Sequence, residues 1–274
     1  MPVTSALIVE PRNYTTLDYV IKNVRQALPD IPIYLHHGSE NKDLAKAIQS
    51  TVEDMHLVNM QRENLTIHDY SKYMTTQSLY DSLPSGHTVV FQTDSAFCDP
   101  THAETKTRLE EYTKYSYVGA PWAKKTGYST KCDLHEDIVD SECTFGIGGN
   151  GGFSLRDTEM MSKLTSMGRP EHPEDTKLTN RCIRTEGCML PPLLHSGEFV
   201  NQHMDFTSEM TDSNTFRGVV GRECLKTERL PLAFHKPNQP CTKSFYCPAR
   251  ENMPPLRTMT PEETKIKIEE ILKN

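Results

Sequence analysis

The chain has 274 residues, 36% hydrophobic, 24% charged and 8% aromatic, which allows a sizeable core and excludes both a disordered acidic chain and a membrane-embedded one. Thirty Lys and Arg against 37 Asp and Glu give a formal charge of −7, so no global basic field recruits a nucleic-acid backbone. No run approaches the roughly 18 apolar residues of a membrane span, and MPVTSALIVEPRNY lacks a basic leader region, so the sequence reads as cytoplasmic.

Residues 6–11, ALIVEP, form an apolar run closed by Glu10 and a proline, the pattern of a strand buried on both faces. Leu17, Val20, Ile21, Val24 and Leu28 recur at steps of three and four and predict a helix over 15–28, stopped by Pro29. Ile31 to Leu35 is a second strand, so the opening is strand, helix, strand with a parallel crossover. Helical patterns follow at 41–48 and 67–83. The β-branched run 88–92 then delivers Asp94 to the end of a strand. A helix over 103–115 and a strand from Tyr117 complete an α/β alternation.

Residues 124–146 hold Asp133, Glu136, Asp137, Asp140 and Glu142 without periodicity, the mark of a solvated loop. Helices are expected at 158–167 and 177–184, while the helical signal fades from Leu190 to Gly221. Near the end, Thr260, Pro261 and Glu263 form a capping box that opens a helix whose Ile266, Ile268, Ile271 and Leu272 are available for packing. We therefore expect a globular domain over 1–240 and a C-terminal extension over 241–274 that packs on it.

The eight cysteines, Cys98, Cys132, Cys143, Cys182, Cys188, Cys224, Cys241 and Cys247, are expected as free thiols in a chain without a secretion signal. The pairs Cys182/Cys188 and Cys241/Cys247 each enclose five residues, looser than a zinc knuckle.

Four features carry chemistry. Asp94, at a strand end, either reaches a divalent cation or ligand hydroxyl, or caps the next turn. Gly146 to Gly152 has five glycines in seven residues, more than a turn needs, so main chain is expected to approach a ligand there. It matches neither a P-loop nor a dinucleotide fingerprint. Glu174 and Asp175 precede a helix, where they serve either as first-turn charges or as a general base. His235 ends a short apolar strand, and only a second hard ligand nearby would make it more than structural.

In chain order, LIVEPR (7–12), FQTDS (91–95), YVGAPW (117–122), GNGGFSLR (149–156), PED (173–175) and FH (234–235) resemble the DUF5672 family, a little-characterised group similar to glycosyltransferases. More distantly they resemble GT-A nucleotide-sugar transferases. The resemblance implies a single GT-A-like, Rossmann-like α/β domain with a central, mostly parallel sheet flanked by helices. It also implies transfer of a hexose or pentose from a nucleoside-diphosphate sugar to a hydroxyl of a glycan or glycoprotein, with inversion. Position by position, Asp94 resembles the surviving carboxylate of the D-x-D motif and His235 the C-terminal histidine, together holding Mn²⁺ or Mg²⁺. Asp175 resembles the base, with Glu174 in reserve. Glu10, Arg12, Ser95, Gly149, Asn150 and Gly151 fall where such proteins meet the nucleotide sugar. Ala96 replaces the second D-x-D carboxylate, with Asp99 the nearest acidic reserve. That departure motivates the alternative of a non-catalytic sugar-binding or nucleotide-sugar-binding protein on the same fold.

Overall fold

The computed structural model describes residues 1–101, 103–120, 149–168, 173–191, 200–201, 231–236 and 247–273. The acidic segment 124–146, Pro121 and Trp122, and Cys132, Cys143, Cys224 and Cys241 lie outside the described residues. A six-stranded sheet is built from β1 (Val3–Glu10), β2 (Ile33–His37), β3 (Met55–Asn59), β4 (His87–Phe91), β6 (Tyr117–Ala120) and β7 (Asn150–Asp157), in the order β3-β2-β1-β4-β7-β6. The pairings β1–β2, β2–β3 and β1–β4 are parallel, whereas β7 runs antiparallel to both β4 and β6. A small second sheet joins β5 (Ser95–Phe97), β9 (Ala233–His235) and β8 (Val200–Asn201).

Burial on both faces explains why β1 and β4 read as unbroken apolar runs. Side chains alternate across a strand, so Ala6 and Ile8 join one core with Val89 and Phe91, while Leu7 and Val9 join the other with Val90. The first core takes its helical cover from α1 (Leu17–Ala27), α2 (Lys42–Gln49) and α5 (Glu104–Glu110). The second is covered by α3 (Ile67–Met74), α4 (Gln77–Asp81), α6 (Thr158–Ser166) and α7 (Glu174–Ile183). No helix among the described residues is long and apolar enough to cross a membrane.

The helix expected over 67–83 is two. Thr75 and Thr76 turn their hydroxyls back onto the carbonyls of Ser71 at 2.8 Å and Tyr73 at 2.7 Å, an interaction that competes with helix propagation, and α3 stops there. The C-terminal capping box forms as expected. Glu263 donates its N–H to Thr260 Oγ1 at 3.3 Å and its carboxylate accepts the Thr260 N–H at 2.9 Å, opening α9 (Pro261–Lys273). Of the four apolar residues expected to pack, Ile271 is buried and Ile268 partly so, but Ile266 and Leu272 are exposed.

The free-thiol expectation is overturned for the described cysteines: Cys98 is bonded to Cys247 and Cys182 to Cys188. Cys247 immediately precedes α8 (Pro248–Asn252), and the Ala249 N–H bonds to the Cys98 carbonyl at 3.0 Å, so the bridge fastens α8 to the end of β5. The Cys98–Cys247 bridge spans 149 residues of sequence and the other only 6. In the chain-entropy account, losing the long bridge should cost about 2–3 kcal/mol more than losing the short one. Thermal melts of Cys98→Ala and Cys188→Ala should show the larger fall in the first; equal falls would contradict the assignment.

Candidate active site

The chain passes from β1 outward through β2 and β3 on one side, and β4 and β7 lie on the other. In open α/β sheets ligands bind at such a switch point, outside the carboxyl ends of the strands. Glu10 closes β1 there, and Asp94 follows β4 by three residues. Because β7 is antiparallel and pairs Phe153 with Phe91, its opening residues Asn150 to Gly152 run past the end of β4 to the same edge.

Asp94 and His235 meet because β5 and β9 pair Ser95 with His235. The His235 Nε2 lies 3.3 Å from Asp94 Oδ1, and the Lys236 N–H bonds to the Asp94 carbonyl at 2.9 Å. Burial raises the Asp94 carboxyl, but His235 and Lys236 outweigh it and hold the group below its ordinary value. His235 is 2% exposed, and its ring lies over Gly152, where a Cβ would overlap the imidazole.

One residue earlier on β7, the Gly151 N–H bonds to Asp175 Oδ2 at 3.2 Å, and Asp175 Oδ1 accepts the Thr176 N–H at 2.8 Å. Glu174 and Asp175 therefore sit in the first turn of α7 against the same strand, 6% and 8% exposed. Burial above all, and then the adjacent Glu174, push the Asp175 carboxyl up to about 7. Gly151 and Gly152 are consecutive residues of β7, so Asp175 and the His235–Asp94 pair are seated against the same opening of that strand, each against its own glycine.

Arg12 follows the end of β1 by two residues. Its Nε and Nη2 grip the two Glu10 oxygens at 2.7 and 3.1 Å, and its guanidinium lies 4.7 Å from the Tyr14 ring centroid. Burial raises the Glu10 carboxyl, Arg12 opposes this, and the negative Asp94 adds to the rise, so Glu10 and Asp94 share one electrostatic environment. Glu10 is 5% exposed and engaged by Arg12; its place is to orient the half-buried arginine.

Three expectations change. Ser95 is fully buried, accepting the Gln92 N–H at 2.9 Å and placing its hydroxyl 3.0 Å from the Gly152 carbonyl, so it braces the turn against β7 instead of facing a ligand. Asp99 does not join Asp94: its Oδ1 accepts the Thr101 N–H at 3.2 Å beyond the far end of β5. The described glycines, Gly149, Gly151 and Gly152, do not form a free loop. Gly149 is needed for φ +112°, and Gly151 and Gly152 lie within β7, where side chains of the protein occupy the space a Cβ would take. Asn150 is half-buried and its Oδ1 accepts the Gly152 N–H at 2.9 Å, holding this opening of β7 in place. Gly146 to Gly148 lie outside the described residues.

Sequence reasoning missed Arg156, a residue of β7 whose wholly buried side chain bonds to the Tyr80 hydroxyl oxygen at 2.8 Å. The signal is the alternation in FSLR, where Phe153 and Leu155 join the first core and Ser154 and Arg156 take the other face.

A family model described as a protein of unknown function, DUF5672, matches residues 54–214, and the chain belongs to that family. No curated protein gives a match. Among solved structures, the apo form of mouse xyloside xylosyltransferase 1 superposes with a TM-score of 0.50 at 10% identity, covering 89% of this chain and 100% of that one. The apo glycosyltransferase GlyE of Streptococcus pneumoniae gives 0.47 at 14% identity, over 99% of this chain and 62% of that one. A 4-diphosphocytidyl-2C-methyl-D-erythritol synthase from Anaerococcus prevotii gives 0.38 at 12% identity, over 65% and 83%. The fold is GT-A-like.

Proposed function

We propose that this protein transfers a sugar from a nucleoside-diphosphate sugar to an acceptor hydroxyl, with inversion and with a divalent cation. The observation that carries the reading is a carboxylate–imidazole pair and a separate, proton-ready carboxylate seated against consecutive glycines of β7 at the switch-point edge of a GT-A-like sheet. Fold alone would not carry it, because one fold hosts many chemistries.

The residues fit a small hard cation. Asp94 Oδ1 and His235 Nε2 are 3.3 Å apart, close to the roughly 3 Å between neighbouring ligands of an octahedral ion with bonds of about 2.1 Å. Among the described residues no third His, Cys, Asp or Glu completes a cluster, so diphosphate oxygens are the natural remaining ligands. Mn²⁺ or Mg²⁺ held there would neutralise charge on the departing diphosphate. Asp175 receives the acceptor's hydroxyl proton as the acceptor oxygen bonds to the anomeric carbon, and the carbon–oxygen bond to the diphosphate breaks with its electron pair leaving on the nucleoside diphosphate. Arg12, oriented by Glu10, supplies positive charge on the nucleotide side. The two disulfides among the described residues favour an oxidising compartment over the cytoplasm for this activity, and a glycan or glycoprotein acceptor belongs with that setting.

The test is ligand binding with and without Mn²⁺. A ligand of the native state raises its melting temperature, so one member of a panel of nucleoside-diphosphate sugars should do so in a Mn²⁺-dependent way. Asp94→Asn and His235→Ala should each lose that dependence and bind the donor about tenfold or more weakly. Equal Mn²⁺-dependent shifts in wild type and both variants would remove the cation from this pair. Binding without any donor turnover would favour the non-catalytic alternative.

A further inference from the structure

Beneath the strand that links the two halves of the site lies a guanidinium with no part in the transfer itself. Arg156 donates from Nε to Ser154 Oγ at 2.9 Å and from Nη1 to the Tyr80 oxygen at 2.8 Å, and it stands 5.2 Å from the Tyr117 ring centroid. Its Nη2 reaches the Gly151 carbonyl at 3.4 Å and Glu174 Oε1 at 3.5 Å. Glu174 Oε2 accepts from the Ser71 hydroxyl at 3.4 Å. A buried cation is tolerated only beside a counter-charge and with its N–H groups engaged. Equally, two neighbouring buried carboxylates do not both ionise cheaply. The geometry resolves both demands at once, because the arginine reaches one of the two acids and the Gly151 N–H reaches the other.

Resting on the transferase reading, we propose that Arg156 is a positioning residue that divides labour between the two acids: it takes Glu174 as its counter-anion, and the Glu174 charge reserves proton exchange for Asp175. A Cβ at Gly151 would lie 2.5 Å from Glu174 Oε1 and 2.7 Å from Arg156 Nη2, so the glycine is what lets the guanidinium and carboxylate meet under the strand. Among the described residues, the charged and titratable groups facing Asp175 are Glu174 beside it on α7, Arg156 on β7 and Tyr117 on β6. Tyr70 of α3 and Tyr80 of α4 face the Arg156–Glu174 pair. Burial raises the Asp175 carboxyl, and the Glu174 charge adds to the rise.

The experiment is a pH titration of the side-chain carboxyl carbon of Asp175 by NMR in the full chain carrying ¹³C-labelled aspartate, the signal being the one lost in Asp175→Asn. Wild type should titrate with a midpoint near the value of about 7. Glu174→Gln keeps the shape and removes the charge, so the midpoint should fall by about one unit or more. An unchanged midpoint in Glu174→Gln overturns the proposal. Should that variant fail to fold, the wild-type curve decides alone, since a midpoint in the ordinary carboxylate range near 4 also overturns it. The readout needs no turnover. A protein that titrates as expected yet transfers no sugar refutes the function and keeps this inference; one that transfers sugar with an ordinary midpoint does the reverse.

Discussion

Asp175→Asn should lower sugar transfer by about 10²–10⁴-fold while leaving donor binding within a few-fold of wild type, because it removes a proton acceptor and keeps its shape. Single-turnover transfer and calorimetric donor binding, measured side by side, separate the two effects. The same variant has a second signature in stability. The Asp175 carboxyl is raised in the fold from its ordinary value near 4 to about 7, so the native state binds the extra proton between those limits. Its contribution to stability is therefore complete below about pH 4 and lost as pH rises through about 7, where a buried charge must be carried. Asp175→Asn carries no such charge, so its melting temperature relative to wild type should climb between pH 5 and pH 8, by about 2–4 °C for each kcal/mol relieved. A difference that stays flat over that range would show that Asp175 is already ionised at pH 5.

Gly151→Val should destabilise the whole domain by about 3–5 kcal/mol. Its Cβ alone would come within 2.5 Å of Glu174 Oε1 and 2.7 Å of Arg156 Nη2, neither of which has room to retreat, since Arg156 is held by Tyr80 and Ser154. Parting a buried ion pair leaves an uncompensated charge, and overpacking adds to that cost. A glycine run read as main chain approaching a ligand suggests that Gly151→Val costs activity more than stability; the packing reverses that order. Urea denaturation decides, and a midpoint unchanged from wild type would mean that the strand shifts freely away from α7.

The contrast shows what kinds of information the sequence holds. Strands β1 and β4, buried on both faces, announce themselves as apolar runs, and the Thr260 and Glu263 box announces α9, because each depends on neighbours a few residues apart. Strand β3 escapes notice since it is a five-residue edge strand, exposed along much of MHLVN, with only Met55 and Leu57 turned to the first core. The partition of 67–83 into two helices turns on threonine hydroxyls bonding to carbonyls three and four residues back, which periodicity does not register. Pairing of Cys98 with Cys247 is a long-range fact, and spacing within the sequence points to other partners. At the site, Asp94 and His235 are visible as polar residues ending apolar strands, yet their meeting rests on the pairing of two three-residue strands. Glycine richness at 149–152 is visible too. Its cause is not, because a glycine that admits a ligand and one that admits His235 or Glu174 look alike in sequence.

Donor cleavage tests the central claim most directly. Wild-type protein is incubated with a panel of nucleoside-diphosphate sugars and Mn²⁺, release of free nucleoside diphosphate is followed with and without candidate glycan acceptors, and Asp175→Asn is run in parallel. The account predicts that one donor is cleaved, that release requires the cation, and that Asp175→Asn falls by about 10²-fold or more while still binding that donor. A wild-type protein that binds a nucleotide sugar in calorimetry but releases nucleoside diphosphate from none of them, under any acceptor, would contradict it.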